Sequence, residues 1–83
     1  MYSYQTTGVC AKEIYFSVEN NKIKEVQFLG GCSGNLQGIS KLVQGMDVDE
    51  AINRLSGIPC GNKNTSCPDQ FSKALLALKE QLV

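Results

Sequence analysis

The sequence predicts an α+β fold, with a β-hairpin or small antiparallel sheet packed against about three helices. Apolar and polar residues alternate on either side of an Asn-Asn pair, the period of half-buried strands. Three later segments repeat their apolar residues at helical spacing, each behind a residue that caps helices well. With 83 residues, 42% of them apolar and only two prolines, the chain suits one globular domain over residues 1–83.

The elements follow in order. Ile14, Phe16 and Val18 alternate with Glu13, Tyr15 and Ser17. Asn20-Asn21 supplies the turn, because asparagine tolerates the left-handed conformation. A second strand from Ile23 to Leu29 carries Val26 and Phe28 on one face. Pairing Ile14 with Phe28 and Phe16 with Val26 makes the apolar faces coincide, and the same register sets Cys10 opposite Cys32. Asn35 is the expected N-cap of a helix burying Leu36, Ile39, Leu42 and Val43 and closed by Gly45. Asp47 with Glu50 resembles a capping box before a short helix using Val48, Ala51, Ile52 and Leu55, ended by Gly57. Ser66 caps the last helix, Pro68 sits in its first turn, and Phe71, Ala74, Leu75, Leu78 and Leu82 form its core stripe. Tyr2 and Tyr4 either extend the sheet or pair with another copy; the oligomeric state is left open.

Composition narrows the function. Eight basic and eight acidic residues leave a formal charge of zero, with no basic run, which argues against nucleic-acid or membrane-surface binding. The first residues form neither a basic nor an apolar leader, and no apolar run reaches membrane-spanning length. A cytoplasmic location is therefore expected, and there thiols stay reduced. A core this small supplies only about 3–5 kcal/mol, so a metal would help to hold it.

Four cysteines and no histidine then direct attention to thiolate chemistry. Cys10, Cys32, Cys60 and Cys67 each occupy a predicted turn or element end, and Cys10, Cys32 and Cys60 have glycine close by in sequence. Such glycines let backbone wrap closely around a metal and aim N–H groups at its sulfur ligands. Cys32 and Cys67 fall near predicted helix starts, whose partial positive charge suits an anionic ligand. Four thiolates match a closed tetrahedral zinc site, worth about 10–16 kcal/mol of apparent binding energy. Against this, none of the pairs has the C-x-x-C spacing of zinc ribbons, and free cysteine is often a small core residue. A redox pair of Cys60 and Cys67 is the remaining alternative, weakened by the six residues between them. Gly30-Gly31-Cys32-Ser33-Gly34 lacks the lysine of a phosphate loop and reads as a turn around a ligand. Asp69 reads as favouring the helix dipole rather than as a ligand or catalytic carboxylate.

The run Thr65-Ser66-Cys67-Pro68-Asp69-Gln70 resembles the signature of the TSCPD domain family, and the blocks around Cys10, Cys32 and Cys60 look like its other motifs. That resemblance spans nearly the whole chain. It implies kinship with a domain at the C-terminus of B12-dependent ribonucleotide reductases, and stand-alone members carry a ribonucleoside-diphosphate reductase label. This chain is too short for the reductase barrel, so the resemblance implies an accessory or thiol-delivering oxidoreductase module partnering a ribonucleotide reductase, not a reductase alone. More weakly, the order of elements is similar to iron–sulfur cluster scaffolds of the NifU/IscU type, with Cys10, Cys32 and Cys67 at matching places. Lys12 stands where those scaffolds have an aspartate and Ser66 where they have a histidine, while Cys60 has no counterpart. The departures imply a tighter site, with zinc ahead of an iron–sulfur cluster.

Overall fold

Asn20 and Asn21 adopt φ of 55° and 62°, the two left-handed residues of a type I′ hairpin turn. The computed structural model describes residues 2–9, 11–30 and 33–82. Around this turn, β2 (Ala11–Glu19) pairs antiparallel with β3 (Lys22–Gly30), and β1 (Tyr2–Gln5) pairs with the other edge of β2. The sheet order is β1-β2-β3. Tyr2 and Tyr4 thus extend the sheet, opposite Phe16 and Ile14.

Ile14 lies opposite Phe28 and Phe16 opposite Val26, the register expected from the apolar faces. Two irregularities interrupt it. Ser17 pairs with Glu25 but Val18 with Ile23, leaving Lys24 as an extra residue on β3. At the open end Glu13 pairs with Leu29 but Ala11 with Gly30, leaving Lys12 extra on β2. Each bulge rephases its strand by one residue. Ile23 and Val26, three apart, therefore both point inward, as do Ala11 and Ile14. The hairpin register that set Cys10 opposite Cys32 stops at the Lys12 bulge; both cysteines lie outside the described residues.

Three helices follow: α1 (Ser33–Val43), α2 (Val48–Leu55) and α3 (Cys67–Leu82). Helix α1 begins at Ser33, two residues before the expected cap Asn35, which lies exposed within the first turn. Leu36 and Val43 are buried and Ile39 is half-buried, but Leu42 is 77% exposed. Leu42 is six residues from Leu36, roughly 120° around the helix and off the inward face. Gly45 closes this segment at φ 84° and donates its N–H to the Ile23 carbonyl at 2.7 Å. The linker to α2 is pinned to the hairpin, since Ile23 N–H donates to Met46 O and Val48 N–H to Asn21 O, each at 2.9 Å.

The expected capping box at α2 does not form. Asp47 makes no side-chain cap bond and instead accepts from Asn21 Nδ2 at 3.2 Å. Glu50 pairs with Arg54 one turn on. At α3 the cap is as expected: Ser66 Oγ accepts from Asp69 N–H at 3.2 Å. Phe71, Ala74, Leu75 and Leu78 are buried in one cluster with Ile14, Phe16, Ile23 and Val26 of the sheet and Val43, Val48 and Ala51 of the other helices. Phe71 is its centre, edge-on to Phe16 at 5.6 Å and to Phe28 at 6.0 Å between ring centroids.

Candidate functional site

Two of the four expected ligands are described, and they share a cleft. Cys60 and Cys67 both carry free thiols and line an open cavity of about 480 Å³. Ser66 and Pro68 complete its α3 wall. The other wall is α1, through Gly34 and Asn35 in its first turn and Ile39 and Leu42 further along. Gly34 and Asn35 follow directly on the Cys32-Ser33 pair in sequence. Leu42, left outside the core, therefore rims the thiol-lined cleft.

Cys60 opens a tight turn. Lys63 N–H donates to its carbonyl at 3.0 Å, and Gly61 between them has φ 59°. A positive φ at the first central position is the type II′ pattern, which glycine adopts without strain. Cys67 is the first residue of α3, fixed by the Ser66 cap behind it.

What holds these segments together is a buried polar network built by the residues around Cys67. Asp69 is 4% exposed and Gln70 3% exposed. Asp69 Oδ1 accepts the Gly57 N–H at 2.7 Å, and its Oδ2 accepts the Thr65 hydroxyl at 2.5 Å. Lys73 Nζ lies 3.5 Å from Oδ2. Gln70 Nε2 donates to Thr65 Oγ1 at 3.0 Å, while its Oε1 accepts the Thr7 N–H at 3.2 Å. The network thus ties Thr7, three residues before Cys10, to Gly57, three before Cys60, and to Thr65, two before Cys67. Gly8 is packed into the same corner, where an added Cβ would lie 3.6 Å from Thr65 Cγ2. Among the described residues no buried polar side-chain atom lacks a partner, so the network is fully satisfied.

The Thr65 hydrogen bond, with the Gly57 N–H and Lys73, holds the Asp69 carboxyl below its ordinary range, against the opposing effect of burial. Its lowered pKa means that the charged form stabilises the fold above the unfolded pKa of about 4, and that this contribution is lost as pH falls through the folded value. Acid titration of thermal stability from pH 6 to pH 2.5 is expected to fall more steeply in the wild type than in Asp69→Asn. The two share every other acid-labile group, so their difference isolates Asp69. Parallel acid limbs would remove this role.

Asp69 is therefore a clasp between the α2–α3 connection and α3, more than a helix-dipole charge. Gln70, Thr65 and Thr7 complete the site; Thr65 and Gln70 stand in the signature run, but the sequence predicts no site role for any of the three. A signal existed for Gln70: it lies four and eight residues before Ala74 and Leu78, on the buried stripe, where a polar side chain needs partners. Among the described residues, which omit Cys10 and Cys32, no group of three or more Cys, His, Asp or Glu could hold a metal. None of the described helices is long and apolar enough to cross a membrane.

No curated protein and no solved structure shows significant similarity to the chain, so the iron–sulfur scaffold likeness rests on the order of elements alone. The family relationship is firmer. The TSCPD domain model matches residues 2–79, a span containing all three strands, the shared cleft and the whole Thr65–Gln70 network, and the chain belongs to the TSCPD domain family.

Proposed function

We propose that this TSCPD domain is a metal-binding module in which Cys10, Cys32, Cys60 and Cys67 supply four thiolates to one zinc ion. The observation carrying this reading is the shared cleft: Cys60 and Cys67 line it opposite the helical turn that follows Cys32. The Gln70 bond to Thr7 N–H adds support, since it anchors the approach to Cys10 on the helix that Cys67 begins. The donor set fits the metal. Sulfur ligands suit zinc and iron–sulfur clusters and suit magnesium or calcium poorly. A zinc ion with four thiolates has no open position for substrate and acts on the fold. The chain's own contribution is to tie the segments of Cys10, Cys60 and Cys67 together through the Thr65–Asp69–Gln70 network, with the start of α1 after Cys32 forming the facing wall of the cleft.

The related reductase domains make a ribonucleotide reductase the partner class to test, with this chain in an accessory role. Native mass spectrometry of protein purified without chelator is expected to show one zinc per chain. Substoichiometric metal, together with unchanged folding in Cys67→Ser, would sink the proposal. A brown protein with visible charge-transfer bands after anaerobic iron and sulfide reconstitution would transfer the same ligands to cluster carriage. A trapped Cys60–Cys67 disulfide reducible by thioredoxin would instead favour the thiol-redox reading.

A further inference from the structure

The two described thiols are held very differently. Cys67 begins a sixteen-residue helix, between the Ser66 cap and the buried side chains of Asp69 and Gln70. Moving it requires disturbing the Gly57, Thr65 and Thr7 bonds and the packing of Phe71. Cys60 is exposed, in a run from Ser56 to Asn64 in which every residue is exposed. Its turn is closed by its own Lys63 N–H bond, and the connection nearest to it is the Gly57 N–H to Asp69, three residues away. Segments with few buried contacts open locally at little cost, and those with many open only with the whole fold.

Resting on the four-thiolate reading, we propose that Cys60 is the displaceable ligand through which the site exchanges its metal with an incoming thiol. The bond between Cys60 Sγ and the metal breaks, with the sulfur keeping the electron pair. The incoming thiol binds in its place and its proton passes to Cys60. The number of metal–sulfur bonds is unchanged and nothing is oxidised. Cys67 stays bound throughout, because its helix does not move. Cys60 is exposed and lines the open cleft, which gives the incoming sulfur its path.

Competitive iodoacetamide labelling of the full chain, mapped by mass spectrometry with and without bound zinc, tests this. Exposure alone makes Cys60 react faster in both states, so the readout is the change in the Cys60-to-Cys67 labelling ratio. That ratio is expected to rise about tenfold on zinc loading, because zinc protects the fixed ligand more than the displaceable one. In parallel, Cys60→Ser is expected to retain zinc but to release it to a chromogenic chelator about tenfold faster than wild type, whereas Cys67→Ser retains none. A labelling ratio unchanged by zinc, or zinc lost as completely from Cys60→Ser as from Cys67→Ser, would overturn the inference while leaving the zinc site standing. Wild-type protein that binds no zinc would overturn the site itself and this inference with it.

Discussion

Replacing Phe71 with alanine is expected to cost about 3–5 kcal/mol, as much as the whole stability that a core of this size supplies. Phe71 is fully buried at the point where the sheet meets the helices. Its ring meets Phe16 at an interplanar angle of 79° and Phe28 at 73°, edge contacts worth about 0.5–1.5 kcal/mol each beyond the area they bury. Removing it leaves a cavity walled by β2, β3 and α3 at once, and elements from opposite layers cannot close it by a local shift. Urea denaturation, with far-UV and near-UV circular dichroism, measures the loss. Phe71→Leu keeps most of the volume and loses the ring contacts, so it is expected to fall between wild type and alanine. An alanine variant within about 1 kcal/mol of wild type would show that the core is not organised around this ring.

The reach of sequence reasoning in this chain follows the distance between partners. The hairpin was legible because both its signals are local: Asn20-Asn21 for the turn, and a two-residue period that makes one register bury Ile14, Phe16, Val26 and Phe28 together. The cap at Ser66 and the Phe71–Leu78 stripe were legible for the same reason. The bulges at Lys12 and Lys24 were not, since charged residues in exposed strand positions look alike whether paired or extra. Four residues carry too little periodicity to predict strand β1, whose pairing with β2 sets the Tyr2 ring 5.7 Å from that of Phe16. The spacing of Leu42 predicts an inward position, yet the face it occupies borders the cleft and not the core. Hardest of all was the polar frame. Gln70 and Thr7 are 63 residues apart, and no local pattern pairs them.

The frame also changes what the family signature means. Thr65 relays between two side chains, Ser66 caps, Pro68 lines the cleft, and Asp69 and Gln70 clasp two distant backbone N–H groups. Of the six residues, Cys67 alone offers a thiol to the cleft. The other five position it, so the signature reads as one ligand with its scaffold, and chemistry at the site depends on what the remaining cysteines add.

On the proposed four-thiolate reading, stripping the metal with a strong chelator is expected to have the largest effect of any treatment, removing up to about 10–16 kcal/mol of apparent binding energy from the folded state. The loss should be uneven. Among the described residues the Phe71 cluster spans sheet and helices without using a cysteine, whereas Thr6–Val9, which leads to Cys10, and Gly57–Asn64, which contains Cys60, have no buried side chains. Hydrogen exchange in chelated protein is expected to lose protection first at Thr6–Val9 and Gly57–Asn64, and to retain it longest in β2, β3 and the middle of α3. Zinc added back in slight excess should restore the wild-type pattern, since binding to the folded state alone stabilises by mass action. Cys67→Ser should match the chelated protein and gain nothing from added zinc. Asp69→Asn should respond to zinc but start from a less stable base, because it weakens the frame and keeps the ligands. Melting temperature and exchange pattern unchanged by chelation would separate the frame from any metal, leaving Asp69 and Gln70 to hold a cleft whose thiols serve another purpose.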